Sequence, residues 1–110
     1  MKTLYVSDMD GTLLGADSRV SPRSAEIISR LSRRGALITV ATARTPATVV
    51  PLLADTYTSI PAIVMTGAAM WNRDTASYEE IHFMPVELEQ QVERECSSAG
   101  ICPFVYTLPD

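Results

Sequence analysis

Residues 6–14 read VSDMDGTLL and place two aspartates, Asp8 and Asp10, directly behind an apolar run. The run itself, residues 3–7, is short and rich in β-prone side chains, which predicts a buried strand. Because side chains alternate along a strand, both carboxylates are expected to point to the same side where the strand ends. Gly11 follows them and permits a tight turn with exposed main-chain N–H groups.

The next stretch predicts helices that alternate with strands. Helices are expected to begin at Pro22 and Pro46, since each proline follows a good N-cap residue and fits the first helical position. Pro51 is expected to shorten the second helix. Continuous apolar runs predict strands at residues 36–42 and 61–65.

Strands that are apolar throughout favour a parallel sheet covered on both faces. We therefore predict an α/β fold with a Rossmann-like core of three parallel strands and two crossover helices. Ligands of such sheets gather beyond the carboxyl ends of the strands. Here those ends are Asp8, Thr42 and Thr66.

The pattern of predicted elements changes after Gly67. Residues 68–84 predict a β-hairpin with a polar turn, residues 85–99 predict a helix that Gly100 ends, and residues 102–108 predict one more strand.

Composition excludes several classes of protein. The 110 residues carry a net charge of −4 and their basic residues are scattered, so neither nucleic acid nor a membrane surface is an expected partner. No apolar run approaches the roughly 20 residues that cross a bilayer. The N-terminus meets acidic residues at once, unlike a secretory leader, and a cytoplasmic location is expected.

Two adjacent carboxylates raise each other's pKa unless a cation neutralises them. Mg²⁺ suits this task, because it binds one or two carboxylates and keeps its other positions for water and phosphate oxygens. One aspartate can then act as a nucleophile that forms an aspartyl-phosphate, and the other can transfer protons. The pair Asp8 and Asp10 is therefore predicted to be both the metal site and the catalytic centre of a phosphoryl-transfer enzyme.

The stretch DMDGTLL resembles the first motif of the haloacid dehalogenase (HAD) superfamily. Residues 20–45, VSPRSAEIISRLSRRGALITVATART, resemble its Cof-like sugar-phosphatase branch. The resemblance implies that Asp8 is the nucleophile and a Mg²⁺ ligand, and that Asp10 is the general acid/base with a backbone carbonyl as a second Mg²⁺ contact. It implies that the Thr42 hydroxyl holds the transferring phosphoryl group.

Four further residues are expected to contact the substrate. Arg44 meets the substrate phosphate or is simply a surface residue that precedes a helix. Gly11 supplies backbone N–H groups. Thr66 and Gly67 stand where relatives often carry Asn-Gly near the substrate, and a threonine lacks the paired donor and acceptor of that amide.

The resemblance also implies features that these residues do not provide. The family uses a lysine in a third motif, whereas Lys2 is the one lysine here, and it uses a later acidic cluster, whereas Asp110 is the one acidic residue beyond Glu95. We therefore interpret residues 1–84 as the N-terminal part of the core domain and residues 85–110 as the start of a cap domain. The parent protein is expected to hydrolyse small phosphorylated metabolites such as sugar phosphates, and the chain alone is expected to be inactive.

Two alternatives remain. A receiver-like signalling domain shares the acidic pocket, but it would carry its phosphoacceptor aspartate after the third strand, where Thr66 stands. A non-catalytic module that binds phosphate or a partner would need to cover its exposed sheet edge, for example by self-association. The oligomeric state is left open.

Overall fold

The computed structural model describes residues 2–108. Met1 and residues 109–110 lie outside the described residues, so the outer ends of both predicted domain ranges, Asp110 included, are not described. Within 2–108 the strands and helices, in chain order, are β1 (Leu4–Asp8), α1 (Pro22–Arg33), β2 (Leu37–Ala41), α2 (Pro46–Leu52), β3 (Ala62–Val64), β4 (Ala69–Asn72), β5 (Ser77–Ile81) and α3 (Val86–Ser98).

The five strands form one sheet in the order β1-β2-β3-β4-β5. The pairs β1–β2 and β2–β3 are parallel, with Leu4 opposite Leu37 and Asp8 opposite Ala41. The pairs β3–β4 and β4–β5 are antiparallel. The predicted Rossmann-like α/β core followed by a β-hairpin is thereby confirmed.

Both crossover helices begin where the sequence predicts. The Ser21 hydroxyl caps α1 by accepting a hydrogen bond from the Ser24 N–H at 3.1 Å, and Pro22 is the first helical residue. The second helix, α2, contains Pro51 and ends one residue later, because proline has no N–H to continue the ladder. The short helix leaves a loop that leads to β3.

The hydrophobic core lies around β2, β3 and α2. Its members are Met9, Leu14, Val40, Val49, Leu53, Ala62, Val64 and Ala69. On β2 the neighbours Thr39 and Val40 are both buried, so both faces of this strand are covered. In the hairpin, Trp71 packs edge-on against Tyr78 with ring centroids 4.9 Å apart.

Arg73 attaches the hairpin to the loop that follows α2. Its guanidinium donates hydrogen bonds to the backbone carbonyls of Leu53 and Thr56, both at 2.7 Å, and to the hydroxyl of Thr58 at 3.2 Å. Burial lowers the pKa of Arg73 from its ordinary value, in agreement with a partly shielded guanidinium.

The prediction that β1 is buried was wrong. Leu4, Tyr5 and Val6 expose 51%, 60% and 47% of their surface. Among the described residues β1 pairs with β2 alone, so it is an edge strand although it reads like a central one. An apolar run indicates that a strand would be stabilised by burial, but whether it is buried depends on a second strand or helix beside it.

The strand predicted at residues 102–108 was also wrong. The helix α3 forms and Gly100 follows it with φ of 74°, but residues 101–108 have no regular structure and α3 has no buried residue. A strand needs a pairing partner, and none reaches this segment in the part of the chain that is described. The proposed boundary near residue 84 stays a prediction.

The molecule exposes more surface than a compact domain of its mass. Its accessible surface is 7900 Å², against about 6,000 Å² for a folded monomer of 12.0 kDa. Its radius of gyration is 16.4 Å, against about 13 Å for 110 compact residues. Much apolar surface on β1, α3 and residues 101–108 therefore faces solvent. None of the described helices is long and apolar enough to cross a membrane.

Candidate active site at the carboxyl ends of the parallel strands

The turn after β1 presents two carboxylates on either side of a buried side chain. Met9 is fully buried, whereas Asp8 and Asp10 are exposed. Asp10 has extended backbone angles, Gly11 has a φ of 77°, and the turn closes with a hydrogen bond from Leu14 N–H to the Met9 carbonyl at 2.9 Å. The inward methionine thus anchors the turn and holds both carboxylates outward.

The two oxygens of the Asp8 carboxylate differ in their contacts. Oδ1 accepts a hydrogen bond from the Met9 N–H at 2.9 Å. Among residues 2–108, Oδ2 is reached only by the Thr12 hydroxyl, at the long distance of 3.4 Å. Oδ2 is therefore the oxygen that is available to an incoming group. Thr12 was not among the predicted site residues, although its place four residues after Asp8 in a tight turn could have indicated the contact.

Asp10 is held by an arginine from the neighbouring strand end. Arg44 Nε and Nη2 donate to the two carboxylate oxygens of Asp10, each at 2.8 Å. This paired hydrogen bond, with the charge of Arg44, holds the pKa of Asp10 below its usual range. The pair joins the turn after β1 to the turn after β2, so Arg44 lies in the site rather than on an unrelated surface.

Thr42 lies at the end of β2 and is buried. Its hydroxyl oxygen accepts the Arg44 N–H at 3.1 Å, which leaves the hydroxyl proton free to donate. Its carbonyl accepts the Thr66 N–H at 3.0 Å, and the Arg44 carbonyl accepts the Met65 N–H at 2.9 Å. The turns after β2 and β3 are thus tied together by backbone hydrogen bonds.

The turn after β3 has an unusual backbone. Met65, Thr66 and Gly67 have φ angles of 51°, 56° and 87°. Glycine adopts this left-handed region freely, but a β-branched threonine does so at a cost. The exposed side chain of Thr66 is set beside the other strand ends by its N–H bond to Thr42.

All seven predicted site residues lie at one end of the parallel strands, Asp8 as the last residue of β1 and the others in the turns. Asp10 and Gly11 follow β1, Thr42 and Arg44 follow β2, and Thr66 and Gly67 follow β3. Direct hydrogen bonds join the β1 and β2 turns and the β2 and β3 turns. Their catalytic and binding roles stay predictions.

The oxygen donors at the end of β1 fit a hard cation. Asp8 Oδ2 is weakly engaged, whereas both carboxylate oxygens of Asp10 are occupied by Arg44. Mg²⁺ accepts a small set of protein oxygens and completes its shell with water and phosphate. Within residues 2–108 no three acidic, histidine or cysteine side chains come together as a metal group, so any such ion depends on these few donors.

The site is open to solvent. The Asp10 side chain is 56% exposed and that of Arg44 is 31% exposed. A more enclosed groove of about 390 Å³ lies elsewhere, between α3 and residues 103–108, and is lined mainly by apolar side chains such as Phe83, Val92 and Tyr106. A polar reaction at the strand ends would therefore need another element to exclude water.

Comparison with known proteins agrees with the fold. Residues 5–108 match the haloacid dehalogenase-like hydrolase family. A phosphatase of the haloalkanoate (HAD) enzyme superfamily from Bacteroides thetaiotaomicron has a TM-score of 0.75 at 23% identity, over 91% of this chain and 37% of that one. A haloacid dehalogenase-like hydrolase from B. subtilis has a TM-score of 0.77 at 22% identity, over 91% of this chain and 34% of that one.

A HAD/COF-like hydrolase from Plasmodium vivax is also similar, with a TM-score of 0.70 at 14% identity over 90% of this chain and 37% of that one. No curated protein sequence matches the chain significantly. The chain spans little more than a third of the length of these three structures. At such identities the likeness concerns the fold.

Proposed function

The chain belongs to the haloacid dehalogenase-like hydrolase family, and we propose that the protein of which it forms part hydrolyses phosphate monoesters of small metabolites, sugar phosphates among them. One observation carries the proposal. Asp8 and Asp10 flank the buried Met9 at the end of β1, and the Arg44 guanidinium from the next strand end reaches Asp10. Under the proposal, Asp8 is the nucleophile, Asp10 is the proton carrier and Arg44 is the phosphate-binding cation.

In the proposed reaction Asp8 Oδ2 attacks phosphorus and the bond to the leaving oxygen breaks, which gives an aspartyl-phosphate and an alcohol. Asp10 gives its proton to the leaving oxygen. It then takes a proton from the water that attacks the phosphorus, and inorganic phosphate leaves Asp8 as a free carboxylate. The Thr42 hydroxyl donates to a phosphoryl oxygen, since its proton has no other acceptor among the described residues.

Arg44 has two partners in this scheme. Without substrate it pairs with Asp10 and favours the ionised carboxyl, which cannot donate a proton. A phosphate group offers the guanidinium a stronger bidentate partner. When Arg44 moves to the phosphate, the pKa of Asp10 rises and the residue is able to serve as the acid.

Mg²⁺ would be held by the Asp8 carboxylate and the backbone carbonyl of Asp10. When bound, the ion neutralises negative charge on the phosphoryl oxygens and the carboxylates.

The chain alone is proposed to be inactive or nearly so. Phosphoryl transfer depends on positioning and on electrostatic stabilisation, and the site has few cation ligands and an open face. Residues 1–84 would then be the N-terminal part of a core domain and residues 85–110 the start of a cap that covers the strand ends, in an enzyme that works in the cytoplasm.

A phosphate-release assay with and without Mg²⁺, on a panel of sugar phosphates, tests the proposal. We expect activity from the longer protein that contains this chain, complete loss of it in Asp8→Asn, and little change in Asp17→Asn, a matched exposed aspartate in the next loop. Mg²⁺-dependent turnover that survives Asp8→Asn would contradict the assigned nucleophile. Robust turnover by the 110-residue chain would contradict its proposed inactivity.

One observation also favours the partner-binding alternative, namely the apolar edge of β1, which pairs with β2 alone among residues 2–108. Binding of a partner at this edge would not compete with catalysis at the strand ends. The receiver-like alternative gains no support, because no acidic residue lies in the turn after β3.

A further inference from the structure

We propose that a cleft lined by Arg33, Asp55, Arg73 and Asp74, here called the distal cleft, binds a small zwitterion of the α-amino acid class. The carboxylate of the ligand faces the two arginines and its ammonium group faces the two aspartates. The distal cleft lies at the opposite end of the sheet from the candidate active site, and the inference does not depend on the proposed reaction.

Three segments of the chain meet at the distal cleft. Arg33 is the last residue of α1, shortly before β2, and Asp55 lies in the loop that leads to β3. Arg73 follows β4, which runs antiparallel to β3 with Trp71 opposite Ala62, the first residue of β3. The cleft therefore lies where β2 and β3 begin. Its volume of about 560 Å³ is in the range of small-molecule sites.

The walls of the distal cleft are held by contacts between these segments. Arg73 donates hydrogen bonds to the carbonyls of Leu53 and Thr56, both at 2.7 Å. The Tyr57 N–H donates to the hydroxyl of Ser29 on α1 at 2.9 Å. The loop before β3 is thus attached to the hairpin on one side and to α1 on the other.

Charges of both signs line the distal cleft without neutralising each other. Neither Arg33 nor Arg73 forms an ion pair with Asp55 or Asp74, since the ion pairs found within residues 2–108 join other side chains. Burial lowers the pKa of Arg73, and the charges of Asp74 and Tyr57 act in the opposite direction, so both lie near its guanidinium. The two arginines and the two aspartates therefore border one open space.

Arg33 is held in place and keeps its donors for a ligand. Its guanidinium carbon lies 5.3 Å from the centre of the Tyr57 ring, in a cation–π contact. It forms no ion pair in the part of the chain that the structure describes. A guanidinium presents its donors as a planar fork, which matches the two oxygens of a carboxylate.

The uncharged part of the lining suits a small aliphatic group. Val50, Pro51 and Ala54, around the end of α2, line the cleft and are exposed. Thr56 also lines it, is only 2% exposed, and its hydroxyl has no hydrogen-bond partner among residues 2–108. A buried hydroxyl without a partner is unfavourable, so a polar group that enters the cleft would stabilise this wall.

The balance of charges selects the class of ligand. The four charged side chains of the lining sum to zero, so a phosphate ion or a simple amine would meet like charge as well as opposite charge. A zwitterion is attracted by both pairs at once. An α-amino acid with an aliphatic side chain matches the cations, the anions and the apolar wall together.

Calorimetric titration of the longer protein with L-leucine tests the site. We expect reversible binding with a dissociation constant of about 1 mM or below. Two analogues, 4-methylpentanoate without the ammonium group and 3-methylbutylamine without the carboxylate, should each bind at least about tenfold more weakly. In heteronuclear NMR, L-leucine should shift the amide signals of Tyr57 and Asp74 and leave those of Asp8 and Thr42 unchanged.

Two variants remove the charges of the distal cleft one sign at a time. Arg33→Met should raise the dissociation constant of L-leucine about tenfold, whereas Arg34→Met, an exposed neighbour outside the cleft, should leave it unchanged. Asp55→Asn combined with Asp74→Asn should also raise it about tenfold.

The double variant has a matched control in Asp17→Asn combined with Glu93→Gln, which makes the same change in net charge at exposed residues elsewhere and should not alter binding. Circular dichroism establishes that each variant is folded. Arg73 is left intact in all of them, because its hydrogen bonds hold the cleft together.

Four outcomes overturn the proposal. The first is no binding of L-leucine at about 10 mM. The second is binding of inorganic phosphate or of either analogue as tightly as L-leucine, which would show that the cleft does not recognise both charges. The third is a set of NMR shifts confined to the strand ends around Asp8 and Thr42. The fourth is binding that neither Arg33→Met nor the double aspartate variant weakens.

Discussion

Removal of the Arg73 guanidinium should destabilise the fold more than the loss of any other single arginine. Arg73→Met keeps most of the apolar stem and removes the three hydrogen bonds that attach the hairpin to the loop after α2. The carbonyls of Leu53 and Thr56 lose their charged donor, and Leu53 is itself fully buried.

The magnitude follows from the geometry of these bonds. A hydrogen bond from a charged group contributes about 1.5–3 kcal/mol when it is shielded. The guanidinium is only partly buried, so water replaces part of what is lost, and we take about 1–1.5 kcal/mol for each of the two bonds to carbonyls. The free energy of unfolding should therefore fall by about 2–3 kcal/mol.

Urea unfolding measures this change. Trp71, which precedes the hairpin turn and is the one tryptophan, reports the transition by fluorescence. With an m-value of about 1.5 kcal/mol/M, the midpoint should fall by about 1.3–2 M. Arg94→Met, on the exposed α3, is the matched control and should shift it by less than about 0.3 M, since surface substitutions stay within about 0.5 kcal/mol. Equal midpoint shifts in the two variants would refute the reasoning.

Three further predictions concern the strand ends and α1. Thr66→Asn should raise the free energy of unfolding by about 0.5–1 kcal/mol in urea titrations, because asparagine tolerates the left-handed backbone better; a loss of stability would contradict the assigned strain. Arg44→Gln should raise the pKa of Asp10 toward its ordinary value in a carboxyl NMR titration, because the hydrogen bonds and charge of Arg44 lower it. Because the folded-state pKa is lowered, the pair stabilises the protein fully above the unfolded-state value and loses this effect as the pH falls through the lowered pKa, so wild type and Arg44→Gln should converge in stability in acid. Ser29→Ala should cost about 1–2 kcal/mol in thermal or urea unfolding, because the buried Ser29 hydroxyl accepts the Tyr57 N–H at 2.9 Å; a neutral result would show that water satisfies that N–H.

The convergence of Asp8, Thr42 and Thr66 could be predicted because parallel strands end at the same edge of a sheet. That rule needs only the positions of apolar runs, which the sequence displays. The bidentate contact of Arg44 with Asp10 could not be predicted. A long side chain can reach several acceptors, and which one it contacts depends on where the folded backbone places them. The hydrogen bonds from Arg73 to two loop carbonyls could not be predicted for the same reason.

The two wrong predictions concern which segments lie next to each other in the fold, and not the conformation that each segment prefers. The run at β1 is apolar enough for a central strand, yet its exposure depends on whether a second strand lies beside it. Residues 102–108 have β-prone side chains but no strand to pair with among the residues described. Local sequence determines which conformation a segment prefers, whereas burial and pairing depend on other segments.

The order of strands in the sheet has a consequence for how the chain folds. From β2 to β5, each strand pairs with the one that precedes it in the sequence. The two antiparallel pairs close over short turns, and each parallel pair closes over one crossover helix, so no pairing has to span more than one crossover. On a ribosome each strand emerges when its partner has already been made, so the sheet can grow by one strand at a time. Such a segment can acquire its hydrogen bonds progressively during synthesis, and its carboxylate turn is the first part of the site to form.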